Sequence, residues 1–522
     1  MKLYKGSIVT CDEKNSVYNY LVEDKGKIIF TGNELPEKYN ISVSDTIDLA
    51  GKALLPAFGD GHIHFASWAM FNSTVDVRSA ANIKEIQDQI HEYAKGDPGA
   101  KIVLVFGHSK HSIREKRLIT KQELDTIESN RPVLVICYDG HSSVGNSAMI
   151  DMFPEKIKKL RGFNFDSGQL FNEAYLEGTS FASAMVSPLR VLKGVLKGVD
   201  GLAERGISMA HPVEGIGFPK DFDVDLVRMV ARGSQVNLRV FFQTMDVKKV
   251  IKRKLPRIGG CFATALDGCF GATDAALLKP YSNNPDNRGI LFYPDEKVIA
   301  FAKEANRAEL QIEFHVIGDA GVAQAVRALE EALKDYPRTD HRHTLIHACL
   351  IAPEDLEKIA KLKIGITLQP AFLISNLEPI EYLKDILGDR AMGSSPLRKM
   401  IDMGIRVSGG SDAPVTPPDP IEGIYAACNH FNPEQSVIIP EALRMFTYEV
   451  AHAGFDEKER GSLETGKIAD MVILNKNPLE MDPHNLRELK IEKILLEGKP
   501  YKRGKGIGGM IAGAIKGRNR KI

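Results

Sequence analysis

The middle of this chain alternates apolar, β-prone runs with amphipathic helical stretches, and that alternation limits its fold more than any other feature. Eight runs stand out: Leu54–His64, Ile207–His211, Leu238–Gln243, Gly260–Leu266, Gln311–Val316, Thr344–Cys349, Gly365–Gln369 and Arg406–Gly410. Helical patterns such as Pro294–Asn306 and Gly321–Tyr336 lie between several of them. Near-continuous apolar strands joined by helices belong to a parallel sheet covered on both faces. Eight such units favour a closed ring over an open sheet. The expected fold class is α/β, a (β/α)8 TIM barrel over residues 58–454.

The two ends read differently. Residues 1–57 and 455–503 hold short β-prone pieces, among them Ser7–Thr10, Lys27–Thr31, Met471–Leu474 and Ile491–Leu496, punctuated by glycines. Chain ends often lie close together, so these pieces predict one small β-sandwich domain built from both termini. Between the first and second strands the chain is far longer than a βα connection needs. It carries a helix near Ile83–Ala94, a strand at Ile102–Phe106, a helix near Gln122–Ile127 and a strand at Val133–Cys137. Residues 70–200 are therefore expected to be a cap inserted after the first barrel strand. Residues 504–522 are Gly-rich and basic, with Lys505, Lys516, Arg518, Arg520 and Lys521. They read as a flexible tail or a subunit contact, which leaves homo-oligomerisation open.

Charge and cysteine usage narrow the partners. Lys+Arg and Asp+Glu both total 68, without the basic excess of a nucleic-acid-coating surface. No apolar run is long enough for a membrane span. Met1–Thr10 alternates like a strand rather than a signal peptide. The six cysteines lie far apart, without Cys-x-x-Cys spacing. A cytoplasmic protein acting on a small molecule, with neither nucleic acid nor membrane as partner, is expected.

The residues able to do chemistry fall at strand ends. His62 and His64 close the first run, and residues two apart on a strand point to one face, so both imidazoles can reach one ion. His315 ends the fifth strand, His347 the sixth, and Asp412 follows the eighth. Catalytic residues of a TIM barrel sit at the C-terminal strand ends. Four imidazoles and a carboxylate on one rim predict a hydrolytic divalent-metal site, with zinc the expected ion.

This series resembles the metal-dependent amidohydrolase superfamily, and within it the amidohydrolase-3 branch that includes N-substituted formamide deformylase. The resemblance runs through Pro56-Ala57-Phe58-Gly59-Asp60-Gly61-His62-Ile63-His64, His315 with Gly318-Asp319, Leu368-Gln369-Pro370, and Gly410-Ser411-Asp412-Ala413-Pro414. It continues through Glu441-Ala442-Leu443-Arg444 and the segment from Gly461 to Asp470. It implies that His62, His64 and Asp412 bind one metal. His315 and His347 bind a second, or in single-metal relatives one of them contacts substrate. It also implies that Asp412 shuttles the proton while metal-activated hydroxide cleaves the carbon–nitrogen bond of a non-peptide amide. Deamination, or hydrolysis of a cyclic amide, is the alternative on the same metal apparatus. A non-catalytic scaffold would have lost ligands that this chain retains.

One departure stands out. Many relatives place a metal-bridging lysine on the fourth strand, four residues before an Asp-Gly; here that position, counted from Asp267-Gly268, is Ala263. Either one metal suffices or another group bridges. Glu214, beyond the second strand, is the first candidate and His211 its rival. His141 and Asn146, in the inserted cap, resemble a substrate-facing pair in relatives. Turn and N-cap chemistry is the alternative for both.

Overall fold

The computed structural model describes residues 1–39, 41–71, 74–216, 218–504, 506–516 and 522. All eight apolar runs form barrel strands: Phe58–Ile63, Ile207–Glu214, a third in two pieces (Asn237–Leu238 and Phe241–Phe242), Arg257–Ala265, Gln311–Val316, Thr344–His347, Gly365–Leu368 and Val407–Gly409. Neighbours pair in parallel and in chain order, as short βα connections require. The side chains between strands and surrounding helices, such as Phe314, Val316, Val322 and Val326, are fully buried. The long first run is divided at Ala57: Thr46–Pro56 belongs to the terminal sheet and Phe58–Ile63 to the barrel.

The ring closes through side chains at its last seam. No regular ladder joins the eighth strand to the first among the described residues. Instead Asp412 donates its backbone N–H to the His62 carbonyl at 2.9 Å. The Asp60 carboxylate accepts the Ser411 N–H (3.0 Å), the Ser411 hydroxyl (2.6 Å) and the His62 N–H (3.2 Å). Gly61 is needed at this seam because a Cβ there would come within 3.0 Å of the Gly409 carbonyl oxygen.

Both termini combine as expected, in one seven-stranded sheet ordered Lys499–Pro500, Ile491–Leu496, Met471–Leu474, Thr46–Pro56, Lys2–Val9, Val17–Asp24, Lys27–Gly32. The sheet curls on itself. Ile28 donates to the Lys467 carbonyl and Gly466 to that of Ile28, so the Lys27–Gly32 edge meets the segment leading into Met471–Leu474. Tyr4, Ile8, Leu21, Leu54, Met471 and Leu495 fill the interior.

The insertion is a five-stranded sheet, Val75–Asp76, Val103–His108, Val133–Cys137, Ser142–Gly145 and Gln169–Phe171. Helix Ile83–Gly96 packs its Ile83, Ile86, Ile90 and Ala94 face on it, with Asn82 accepting the Glu85 N–H as N-cap. The chain returns through helices Asn172–Ala184 and Pro188–Glu204; the second packs on Phe65–Phe71 and completes the first crossover of the barrel.

The C-terminal segment is not a loose tail where it is described. Gly506–Lys516 is a helix lying on helix Phe222–Gly233. Glycines at the crossing allow this: a Cβ on Gly513 would stand 2.7 Å from the Gly233 carbonyl oxygen. Ile522 accepts a hydrogen bond from Arg257 Nη1 at 3.0 Å. Lys505, Arg518, Arg520 and Lys521 lie outside the described residues. No helix among the described residues is long and apolar enough to cross a membrane.

Under the barrel, Asp456 takes both ends of the Arg239 guanidinium at 2.7 Å and the Asn237 amide at 2.9 Å, all in a buried setting. Removing one partner strands a buried charge. Asp456→Ala is expected to cost about 3–5 kcal/mol, read from the urea midpoint; a loss below about 1 kcal/mol would put the pair in the class of exposed ion pairs.

Candidate metal centre

The two-residue period does bring His62 and His64 to one side, with ring centroids 5.4 Å apart. Asp412 arrives from the loop after the eighth strand, and its Oδ1 lies 3.2 Å from Nε2 of each histidine. Burial would raise the Asp412 carboxyl, but the close His62 and His64 rings outweigh it and hold it well below the usual carboxylate range. Burial pulls the His62, His315 and His347 imidazoles down, His347 to about 4. These rings are neutral at physiological pH, the form that ligates metal.

Neighbouring groups fix which nitrogen each ring presents. His347 donates Nδ1–H to Gln369 Oε1 at 2.6 Å, and Gln369 is itself held by the Thr367 carbonyl, leaving His347 Nε2 facing the centre. His315 donates Nε2–H to the Gly268 carbonyl at 3.2 Å, leaving Nδ1 buried and without a protein partner. Asp267 fixes the turn after His315 by accepting the Ile317, Gly318 and Ala276 N–H groups. Because Gln369 sets the His347 tautomer, Gln369→Leu is expected to weaken metal binding at the His315–His347 half by about 10- to 100-fold. Competitive chelator titration reads this, and an unchanged titration curve would remove the role.

A residue that sequence reasoning passed over stands between the two halves. Cys261 Sγ is 3.3 Å from His62 Nε2 and 3.8 Å from His347 Nε2. The ligand atoms of His62, His64, Cys261 and Asp412 lie within 4.8 Å of one another, and so do those of Cys261, His315 and His347. Cys261 Sγ thus belongs to both groups of ligand-capable atoms. Counting residues pointed to Ala263 because the fourth strand is irregular there. Gly260 pairs with Phe314 and the next pair is Ala265 with His315, so residues 261–264 bulge out of the ladder. The Thr264 hydroxyl ties the bulge back to the Gly260 carbonyl at 2.9 Å. A signal was available: a cysteine at the end of an apolar strand, on the rim that carries the histidines.

Glu214 and His211 lie outside both clusters. The second strand runs on to Glu214, whose Oε1 accepts the Ala66 N–H at 2.9 Å, where helix Phe65–Phe71 begins. Burial, reinforced by the neighbouring Asp223 carboxyl, raises Glu214 well above its usual range. Its contact with the Ala66 N–H anchors the turn after His64. His211 is buried lower in the barrel beside Gly454 and Phe241, and burial lowers it to about 3.

His141 does stand on the wall of the centre, its ring 6.5 Å from that of His315. Asn146 does not. Its Oδ1 accepts the Met149 and Val133 N–H groups and its Nδ2 donates to the Glu128 and Arg131 carbonyls. Every hydrogen-bonding position of that amide is taken by the fold.

Two chambers, about 950 and 580 Å3, meet over Asp412, His315, His347 and His141. The first is walled by Phe71, Phe106, Ile136, Phe218 and Phe262. The second adds Phe372, Leu377 and Glu378, and shares with the first Tyr138, whose hydroxyl donates to Glu378 at 2.7 Å. Three residues here, Phe262, His347 and Asp412, hold left-handed backbone at φ 47°, 67° and 55°. Such strain in non-glycine residues collects at functional sites.

Comparison with known proteins finds relatives along nearly the whole chain. The Amidohydrolase family model (Amidohydro_3) matches residues 45–501. YtcJ of Bacillus subtilis is 26% identical, over 94% of this chain and 96% of its own. N-substituted formamide deformylase of Arthrobacter pascens is 23% identical, over 95% and 97%. A metal-dependent hydrolase from Pyrococcus furiosus superposes with a TM-score of 0.74 at 24% identity, covering 92% of this chain and 100% of that one.

Proposed function

This chain belongs to the amidohydrolase family, and on that premise we propose that it hydrolyses the carbon–nitrogen bond of a small non-peptide amide. The observation that carries the reading is the convergence of His62, His64, Cys261, His315, His347 and Asp412 at the meeting of two apolar chambers. His62, His64 and Asp412 would hold one ion and His315 with His347 another, with Cys261 between them. Imidazole, thiolate and carboxylate donors together suit zinc. Bound there, a divalent cation supplies Lewis acidity to the scissile carbonyl and lowers the pKa of water towards neutrality.

The chain's own residues supply the rest. Asp412, ionised, takes a proton as the water oxygen bonds to the carbonyl carbon. It returns that proton to the nitrogen as the carbon–nitrogen bond breaks, releasing a carboxylic acid and an amine; an amide nitrogen leaves poorly without it. His141 faces the substrate from the cap. The formamide deformylase relative makes N-substituted formamides the first substrates to test. One feature favours the cyclic alternative: Phe372 stacks on His347 at 5.9 Å and 18°, a flat surface suited to a planar heterocycle.

The test is a panel of N-substituted formamides and acetamides beside cyclic amides and amino-heterocycles, assayed with purified protein before and after chelation. Amine release that disappears with chelator and returns with zinc is the expected result. Ammonia release from amino-heterocycles alone would favour deamination. A chain that takes up no zinc would be a scaffold.

A further inference from the structure

A third cavity of about 1340 Å3 opens to the surface between cap helix Asn172–Ala184 and the long loop after the fourth barrel strand. Its mouth carries large apolar side chains in contact with water: Phe171, Leu176, Ile290 and Phe292 are 36%, 42%, 48% and 38% exposed. Exposed apolar side chains gathered around one cleft mark a binding surface. Tyr175, Leu176, Gly140, His141, Phe262 and Ala265 line both this cleft and the larger metal chamber. Vestibule and chamber are thus one passage. Arg161, the cation at the vestibule rim, is paired with Glu173 at 3.0 Å.

The passage offers no free side-chain cation. No lysine or arginine is among the described residues lining the two chambers, and Arg161 at the vestibule is already paired. A carboxylate at the far end of the substrate, held in the vestibule away from the metal centre, would lose water and gain no free side-chain counter-ion, which is costly. An apolar group would lose only unfavourable hydration.

We propose that the vestibule receives the apolar arm of the substrate, so that the enzyme takes neutral amides bearing an extended alkyl or aryl substituent and rejects those ending in a carboxylate. The inference rests on the amide-hydrolase reading above. The occupant follows from continuity: whatever lies on the metal centre and exceeds the chamber must pass Leu176 and Phe262 and lie against Phe292.

The probe is a series of N-alkyl methanesulfonamides, butyl to decyl, which are neutral amide analogues without a hydrolysable carbonyl. Their affinities for the zinc-loaded full chain are measured by calorimetry. Affinity is expected to rise about two- to fourfold per methylene once the chain reaches the vestibule. Leu176→Ser and Phe292→Ser should flatten that slope, while Ile251→Ser, exposed on an outer helix, should keep it. Analogues tipped with a carboxylate should bind at least about tenfold more weakly. A flat slope in the parent chain, or one that neither vestibule variant changes, overturns the proposal. Tighter binding of the carboxylate series also overturns it. A flat slope with self-association that Phe292→Ser abolishes would make the cleft a contact with a second copy. Parallel hydrolysis assays on N-alkyl formamides separate the two readings. A steep slope without turnover sinks the amidase assignment alone, and turnover with a flat slope sinks the vestibule alone.

Discussion

Asp412→Asn is expected to reduce amide turnover by about 10²- to 10⁴-fold in a chain that still folds. The carboxylate has two tasks in the proposed reaction, and asparagine fails the second. Its amide oxygen can still lie near His62 and His64, so the seam and part of the metal site survive. It cannot accept a proton from water and return it to the leaving nitrogen. The wild-type carboxylate is ready for that work, because the close His62 and His64 rings keep it well below the usual carboxylate range despite burial. Metal analysis and circular dichroism of the variant, set beside its turnover, separate the loss of chemistry from the loss of the site. Near-normal turnover with metal retained would remove Asp412 from the proton transfer.

Cys261→Ala gives the second large effect: loss of one of two bound ions and of most activity. Its thiol reaches towards both half-sites at 3.3 and 3.8 Å, and among the described residues no other belongs to both groups of ligand-capable atoms. Burial pushes the thiol well up; a cation in contact reverses that preference, because a coordinating thiol is deprotonated. Cobalt-substituted protein offers a direct reading, a sulfur-to-cobalt charge-transfer band that Cys261→Ala should abolish. Glu214→Gln is the contrasting variant and should keep both ions, since the Glu214 carboxyl is committed to the Ala66 N–H and to Asp223. The reverse pattern, with Cys261→Ala retaining both ions and Glu214→Gln losing one, would return the bridge to the second strand.

These contrasts show where reading the chain alone reaches its limit. The barrel strands were legible because parallel strands buried on both faces must be apolar along their length, so each of the eight runs announces itself locally. His62 and His64 were legible because a strand's period is two. Cys261 was not, since four residues leave the ladder between Gly260 and Ala265 and spacing then ceases to report position. Asn146 suited a substrate wall and an N-cap equally well, and only its four partners decide between them. Glu214 has the right chemistry for a ligand, but its partners Ala66 and Asp223 come from separate parts of the chain. The C-terminal helix depends on a glycine crossing with Gly233, a pairing that no local pattern encodes.

The seam between the last and first barrel strands has a mechanical consequence. Ordinary ladders hold seven junctions of the ring, while the eighth depends on Asp60, Ser411 and two backbone hydrogen bonds, Asp412 N–H to the His62 carbonyl and His64 N–H to that of Ala413. An ion held by His62 and His64 on one lip and Asp412 on the other, as proposed, would be a clasp across the weakest point of the hoop. At a free concentration one hundred times its dissociation constant, such an ion stabilises the closed ring by about 2.7 kcal/mol. Starving a cell of metal would then do more than silence this enzyme: it would unfasten the hoop and offer the chain to proteases, tying the protein's lifetime to its ion supply.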